Sequence, residues 1–148
     1  MNYLIDYKPP RIAMGLVILA AVTYVAAPLR LHASLPLAAL LLALFGFALM
    51  IRAWWLFKLA GTAVCPTRTA TSLITHDVFS VTRNPMYLGI FLMLSALGMV
   101  SGGAAFYGAA IVYLALMDRL FCVFEEQKSR AEFGQEYISY TRRVRRWL

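Results

Sequence analysis

From Leu35 to Ile51 the chain carries no polar side chain, and the apolar run around this stretch covers about residues 35–60. Crossing the hydrocarbon of a bilayer takes roughly 20 helical residues. This run therefore limits the fold more than any other feature, because a helix apolar on every side must lie in a large core or in lipid. Three further apolar runs cover about residues 12–29, 85–100 and 104–124. The third is short for a span, and needs protection by neighbours or a thin spot in the bilayer. Hydrophobic residues make up 61% of the 148 and charged residues 14%, an apolar excess that a soluble domain of this size could not hide. The expected class is all-α: an integral membrane helix bundle of about four transmembrane helices with a C-terminal amphipathic interfacial helix. The chain reads as a single membrane domain, 1–148, with a two-helix scaffold at 1–60 and the chemistry in 61–148.

Charge is distributed unevenly. Lys8 and Arg11 precede the first run, Lys58, Arg68 and Arg83 separate the second from the third, and cations from Lys128 to Arg146 follow the fourth. The other two connections hold only Arg30, His32 and the bare "SGG" of 101–103. The positive-inside rule then puts both termini and the 61–84 loop in the cytoplasm, and the bacterial inner membrane is the expected location. Asp6 ahead of the first run, and Pro28 just after "VAA", argue for a membrane helix there rather than a cleaved signal. The net charge of +7 reads as contact with anionic lipid; no nucleic-acid module is present to claim it. Cys65 and Cys122 form no disulfide framework and have no metal-ligand company. Both read as packing residues, and no metal site is expected.

Beyond the fourth run, Phe133, Tyr137, Tyr140, Val144 and Trp147 recur at helical spacing and form one apolar stripe. Arg142, Arg143, Arg145 and Arg146 lie off it. An amphipathic helix on the inner leaflet is expected, each arginine contributing on the order of 1 kcal/mol near anionic lipid. Gly134 should separate it from the fourth helix.

The segment "SVTRNPMYLGIFLMLSALGMV", residues 80–100, sets a polar gate before an apolar helix. Asn84 suits the N-cap and Pro85 the first helical position. A helix start presents unpaired N–H groups and a positive dipole end, and Arg83 adds a full charge, so the gate should cradle a carboxylate or phosphate. The helix then rises to Ser101, roughly 24 Å at 1.5 Å per residue. A returning helix regains the same depth near Leu120, which levels 119–126 with 83–87. Arg119 and Glu126, seven apart, would share a face of a regular helix. A plainer reading treats Glu125–Glu126 as a solvated helix end, Glu126 and Arg130 as an i,i+4 pair, and Asp118–Arg119 as a boundary marker. Trp54 and Trp55 read as interfacial anchors, and His76 as a solvated loop histidine.

"RNPMYLG", the double glutamate at 125–126 and "FGQEYISYTRRV", in that order around a helical hairpin, resemble the isoprenylcysteine carboxyl methyltransferase family. The related phospholipid methyltransferases share the Arg-(His/Asn)-Pro-x-Tyr element, and "LITHDVFSVTRNP" is similar to the family's approach to it. The resemblance covers about residues 58–146. It implies methyl transfer from S-adenosylmethionine, with S-adenosylhomocysteine as product, inside a membrane bundle that needs no Gly-rich nucleotide loop. It further implies that Arg83, Asn84, Pro85 and Tyr87 hold the methionine carboxylate and neighbouring parts of the cofactor at the helix start. Glu126, with Glu125, would take its ammonium group. Leu73, His76, Val78 and Phe79 would close over the adenosine, Tyr137 and Tyr140 would complete the wall, and Arg119 would face the acceptor. Two departures stand out. The carboxyl-methylating members usually carry His where Asn84 stands, and basic residues where this chain has "FCVF". An asparagine cannot titrate, so proton transfer at that position is excluded.

The expected activity is thus methyl transfer to a lipophilic small-molecule or lipid-like acceptor entering from the bilayer, with Arg119 and Glu126 as the catalytic pair. A carboxylate or thiol is the leading acceptor. Methylation of an amine on a phospholipid headgroup, or a non-catalytic membrane scaffold keeping the fold, are the alternatives. So few helices wall a site sparsely, and an oligomer is one way to complete it.

Overall fold

The structure is a computed structural model that describes residues 9–62 and 70–148. Expectations resting on Asp6, Lys8, Cys65 and Arg68 lie outside the described residues. Helices α1 (Pro9–Ala26) and α2 (Pro36–Leu59) come first. α3 (Pro85–Ser101) and α4 (Ala104–Leu116) form the hairpin, and α4 passes through a π-helical segment, Met117–Phe121, into α5 (Cys122–Arg143). Pro36 and Pro85 open their helices at the first turn, where a missing N–H costs nothing. Gly102 closes α3 in the left-handed region at φ 67°, as a helix-terminating glycine does.

Three helices are long and apolar enough to cross a membrane: Pro9–Ala26, Pro36–Leu59 and the continuous Ala104–Arg143. α3 is apolar but shorter, 17 residues or about 26 Å. It is also the best protected, with α2 on one side and α4 on the other. Large apolar side chains such as Leu41, Phe45 and Phe47 of α2 and Val22 of α1 point outward, toward lipid in an integral membrane protein of this class.

α2 and α3 pack more extensively than any other pair, and glycines allow it. A Cβ on Gly46 would stand 2.7 Å from the Gly89 carbonyl oxygen, and one on Gly89 would stand 2.5 Å from that of Gly46. The two backbones touch there, the close approach that small residues permit between membrane helices. α1 leans on α4 and, more lightly, on α3. Between α1 and α2 an apolar cleft of about 730 Å³ remains, floored by Ile90, Met93, Leu94 and Leu97 of α3.

One end of the bundle is tied by backbone. Leu31 N–H donates to the Gly102 carbonyl at 2.8 Å and Ala104 N–H to that of Leu29 at 2.9 Å, so the α1–α2 connection is stitched to the α3–α4 turn. The other end holds the polar residues. There the 70–84 segment folds back onto α2, with Phe79 buried edge-on to Phe57 at 5.4 Å between ring centroids. Asp77, at the start of a short 3-10 turn and at φ 59°, accepts from Arg52 Nε at 3.1 Å.

The C-terminal region departs from the sequence expectation in one respect and agrees in another. Gly134 does break the helix, at φ 52° and ψ −121°. The stripe, however, does not lie against a leaflet as one face. Tyr137, Tyr140 and Val144 are buried together, with Leu73 and Phe133 packed on them, and Tyr140 Oη donates to the Phe79 carbonyl at 2.6 Å. The helix ends at Arg143, Val144 is extended, and Trp147 turns toward the main core. The apolar side chains found protein to bury against before they found lipid.

Candidate functional site at the polar end of the bundle

Two elements meet at this end: the start of α3 and the junction of the π segment with α5. The level matching expected from the hairpin is realised. Tyr87, one turn into α3, donates through Oη to Glu125 Oε1. Arg83, just ahead of α3, places Nη2 3.1 Å from Glu126 Oε1, with both side chains only 14% exposed. Arg83, Asn84, Pro85, Tyr87, Glu125 and Glu126 are therefore gathered within one small region, three of them carrying charge.

The two glutamates differ in their partners. Glu126 is gripped twice: by Arg83, and by Arg146, whose Nε and Nη2 each stand 2.8 Å from its two oxygens. Such a fork is the strongest geometry an arginine offers a carboxylate. Glu125 has a single neutral donor, Tyr87, beside a core that includes Tyr113, Phe121 and Cys122. A carboxylate has room for about four hydrogen bonds, so Glu125 keeps acceptor capacity that Glu126 has used. On the cationic side, Arg83 Nε is buried without a hydrogen-bond partner, as is the Tyr113 hydroxyl. A buried orphan donor is costly unless a ligand supplies the acceptor.

Arg146, Asp118, Trp147 and Thr82 were not expected in this site. Arg146 had been grouped with the lipid-facing arginines; Arg142, Arg143 and Arg145 are exposed, but Arg146 turns inward. Its Nη1 lies 2.9 Å from Asp118 Oδ1, which also accepts from Trp147 Nε1 at 2.9 Å. Those two carboxylates hold the guanidinium charged, its pKa raised first by Glu126 and, against some loss of hydration, by Asp118. The Arg146 carbonyl accepts from Thr82 Oγ1 at 2.9 Å and from Asn84 Nδ2 at 3.2 Å. Asn84 thus occupies the N-cap position without capping through its side chain; that amide reaches the C-terminal tail instead. Thr82, 1% exposed, could have been suspected as a polar residue inside "VFSVTRNP". No periodicity in the sequence marks Arg146.

Arg119 does not join the cluster. Its side chain is 85% exposed, near only Asp118 at 3.7 Å. The shared face with Glu126 assumed a regular helix. The π segment between them admits one extra residue, which turns everything beyond it by about 100°. The same turn aims Asp118 at Arg146. Of the residues expected over the adenosine, Leu73 packs against the Tyr137–Tyr140 wall, whereas Val78 and Phe79 face α2 and His76 is exposed. No group of three or more metal-ligating side chains occurs among the described residues.

A profile of the phospholipid methyltransferase family matches residues 35–136. An uncharacterized protein of Haemophilus influenzae is 32% identical over 63 residues, which is 43% of this chain and the whole of that protein. No solved structure matches.

Proposed function

The chain belongs to the phospholipid methyltransferase family, a family of membrane methyltransferases, and on that premise we propose that it transfers a methyl group from S-adenosylmethionine to a lipophilic acceptor at the polar end of the bundle. The observation that carries this reading is the pairing of unlike vacancies: an orphan guanidinium N–H on Arg83 and an under-used carboxylate on Glu125, flanking one helix start. The cofactor's amino-acid head is a zwitterion, and these residues fit it. Arg83 Nε and the first N–H groups of α3 would take its carboxylate. Glu125, steadied by Tyr87, would take its ammonium, and Tyr137, Tyr140 and Leu73 would wall the remainder.

When bound, the cofactor supplies an activated methyl on a sulfonium. What the chain adds is alignment and exclusion of water, since in-line displacement asks little else of a protein. The apolar surroundings favour a step in which positive charge at sulfur is lost. The acceptor's tail is accommodated by the cleft between α1 and α2. At this end the cleft is bordered by Pro10, Met50 and Ile90, the last of these one turn beyond Tyr87.

An acceptor carboxylate would meet two glutamates and no free cation here, with Arg119 turned outward. We therefore favour a lipid amine as acceptor and keep a carboxylate or thiol as the second reading, supported by the sequence resemblance. Cytoplasmic placement of this end, in a bacterial inner membrane, is part of the proposal and rests on the charge asymmetry.

Calorimetry of S-adenosylhomocysteine binding to the detergent-purified protein tests the first part. Binding by the wild type that Glu125→Gln weakens about tenfold or more is expected. A folded wild type that binds nothing leaves a non-catalytic scaffold. Mass analysis of lipids after incubation with the methyl donor then separates amine from carboxylate products.

A further inference from the structure

The tail beyond α5 makes four polar connections in as many residues, and they converge on the site. Arg83 N–H donates to the Arg145 carbonyl at 3.1 Å; Thr82 and Asn84 bind the next carbonyl, that of Arg146. The Arg146 guanidinium then bridges Glu126 on α5 and Asp118 in the π segment, and Trp147 caps Asp118 while its ring packs on the core. The extended tail thus fastens the segment leading into α3 to the helix carrying both glutamates. Arg146 is its only member whose side chain touches the charged pair.

We propose that Arg146 is a positioning residue for the cofactor's amino-acid head, acting through Glu126 and Arg83. This rests on the methyltransferase reading above. By occupying both oxygens of Glu126, Arg146 neutralises that carboxylate and prevents it from capturing Arg83 completely. Arg83 bridges to Glu126 through one terminal nitrogen only and keeps Nε unpaired, and the neighbouring Glu125 stays the net anionic group. Without Arg146, Glu126 would have Arg83 as its sole cation. Arg83 would then be drawn into a fork of its own, and the donor meant for the ligand would be consumed. Asp118 keeps Arg146 aimed, which gives the π segment its role: a regular helix would turn Asp118 away.

Calorimetry with two probes tests this: S-adenosylhomocysteine, which carries the amino-acid head, and 5′-methylthioadenosine, which lacks it. Arg146→Gln should weaken S-adenosylhomocysteine about tenfold or more while leaving methylthioadenosine within about twofold. Arg146→Lys, charged but unable to fork, should fall between Gln and wild type. Adding Asp118→Asn to Arg146→Gln should cost less than the two changes sum to, because they share one contact. Equal weakening of both probes would mean that the tail is a structural staple only, and wild-type binding of both by Arg146→Gln would overturn the proposal outright. If the wild type binds methylthioadenosine but not S-adenosylhomocysteine, the head site is wrong and Arg146 has nothing to position. If it binds neither, the methyltransferase reading itself fails and takes this role with it.

Discussion

Asp77 holds a backbone conformation that few side chains tolerate, φ 59°, and holds it with an ion pair to Arg52. Its carboxyl sits below its ordinary value chiefly because Arg52 donates to it. A depressed carboxylate stabilises above the unfolded value near 3.9 and loses that contribution as pH falls through the folded one. The 70–84 segment should therefore loosen in acid below about pH 4. Asp77→Asn keeps the left-handed tolerance but drops the charge, and should reproduce the loosening at neutral pH. Faster proteolysis within 70–84, with an unchanged bundle, is the expected readout; equal cleavage rates would assign the anchoring to Phe79 instead. The same scale explains why Glu125 and Glu126, neighbours in sequence, are not equivalent. A residue-by-residue reading sees two glutamates, and the difference between them is made by Tyr87, Arg83 and Arg146, all distant in sequence from them.

Between elements, the deciding contact is the glycine pair of α2 and α3. Gly89→Ala puts a methyl on the Gly46 carbonyl, and neither backbone can yield without parting the helices. A loss of about 1–3 kcal/mol, typical of overpacking, is expected. Gly108→Ala is the matched control: a Cβ there meets nothing within 4 Å, and removing a mid-helix glycine should be neutral or stabilising by up to about 1 kcal/mol. Thermal unfolding in detergent should order the variants Gly89→Ala, wild type, Gly108→Ala from lowest to highest midpoint. A Gly89→Ala protein as stable as wild type would show that α2 and α3 do not meet as closely as described. Because α3 carries Tyr87 and the entry to the site, this contact also sets where the site stands relative to the apolar cleft.

At the scale of the whole molecule, polar chemistry is confined to one end and backbone stitching to the other. The cation distribution predicts that the polar end faces the cytoplasm. In a protein with Cys65→Ser and Cys122→Ser, a single cysteine at Ser34 should react with an impermeant maleimide from outside intact cells. One at Gln127 should react only after permeabilisation. The opposite pattern would invert the molecule, and labelling of both from one side would break the spanning arrangement.

The sequence by itself determined the helices, the hairpin, the break at Gly134 and the meeting of 83–87 with 125–126. Those depend on local quantities: the length of an apolar run, proline at a first turn, glycine at a positive φ, and a fixed rise per residue. Only the tertiary structure decided which charges face one another. One π turn rotated Arg119 out and Asp118 in. A helix that stopped at Arg143 let Arg146 leave its neighbours and fold back. The aromatic stripe chose Leu73 and the 70–84 segment over the leaflet. Each of these outcomes compares burial in protein with exposure to lipid or water, and that comparison needs the packed neighbours, which lie far away along the chain.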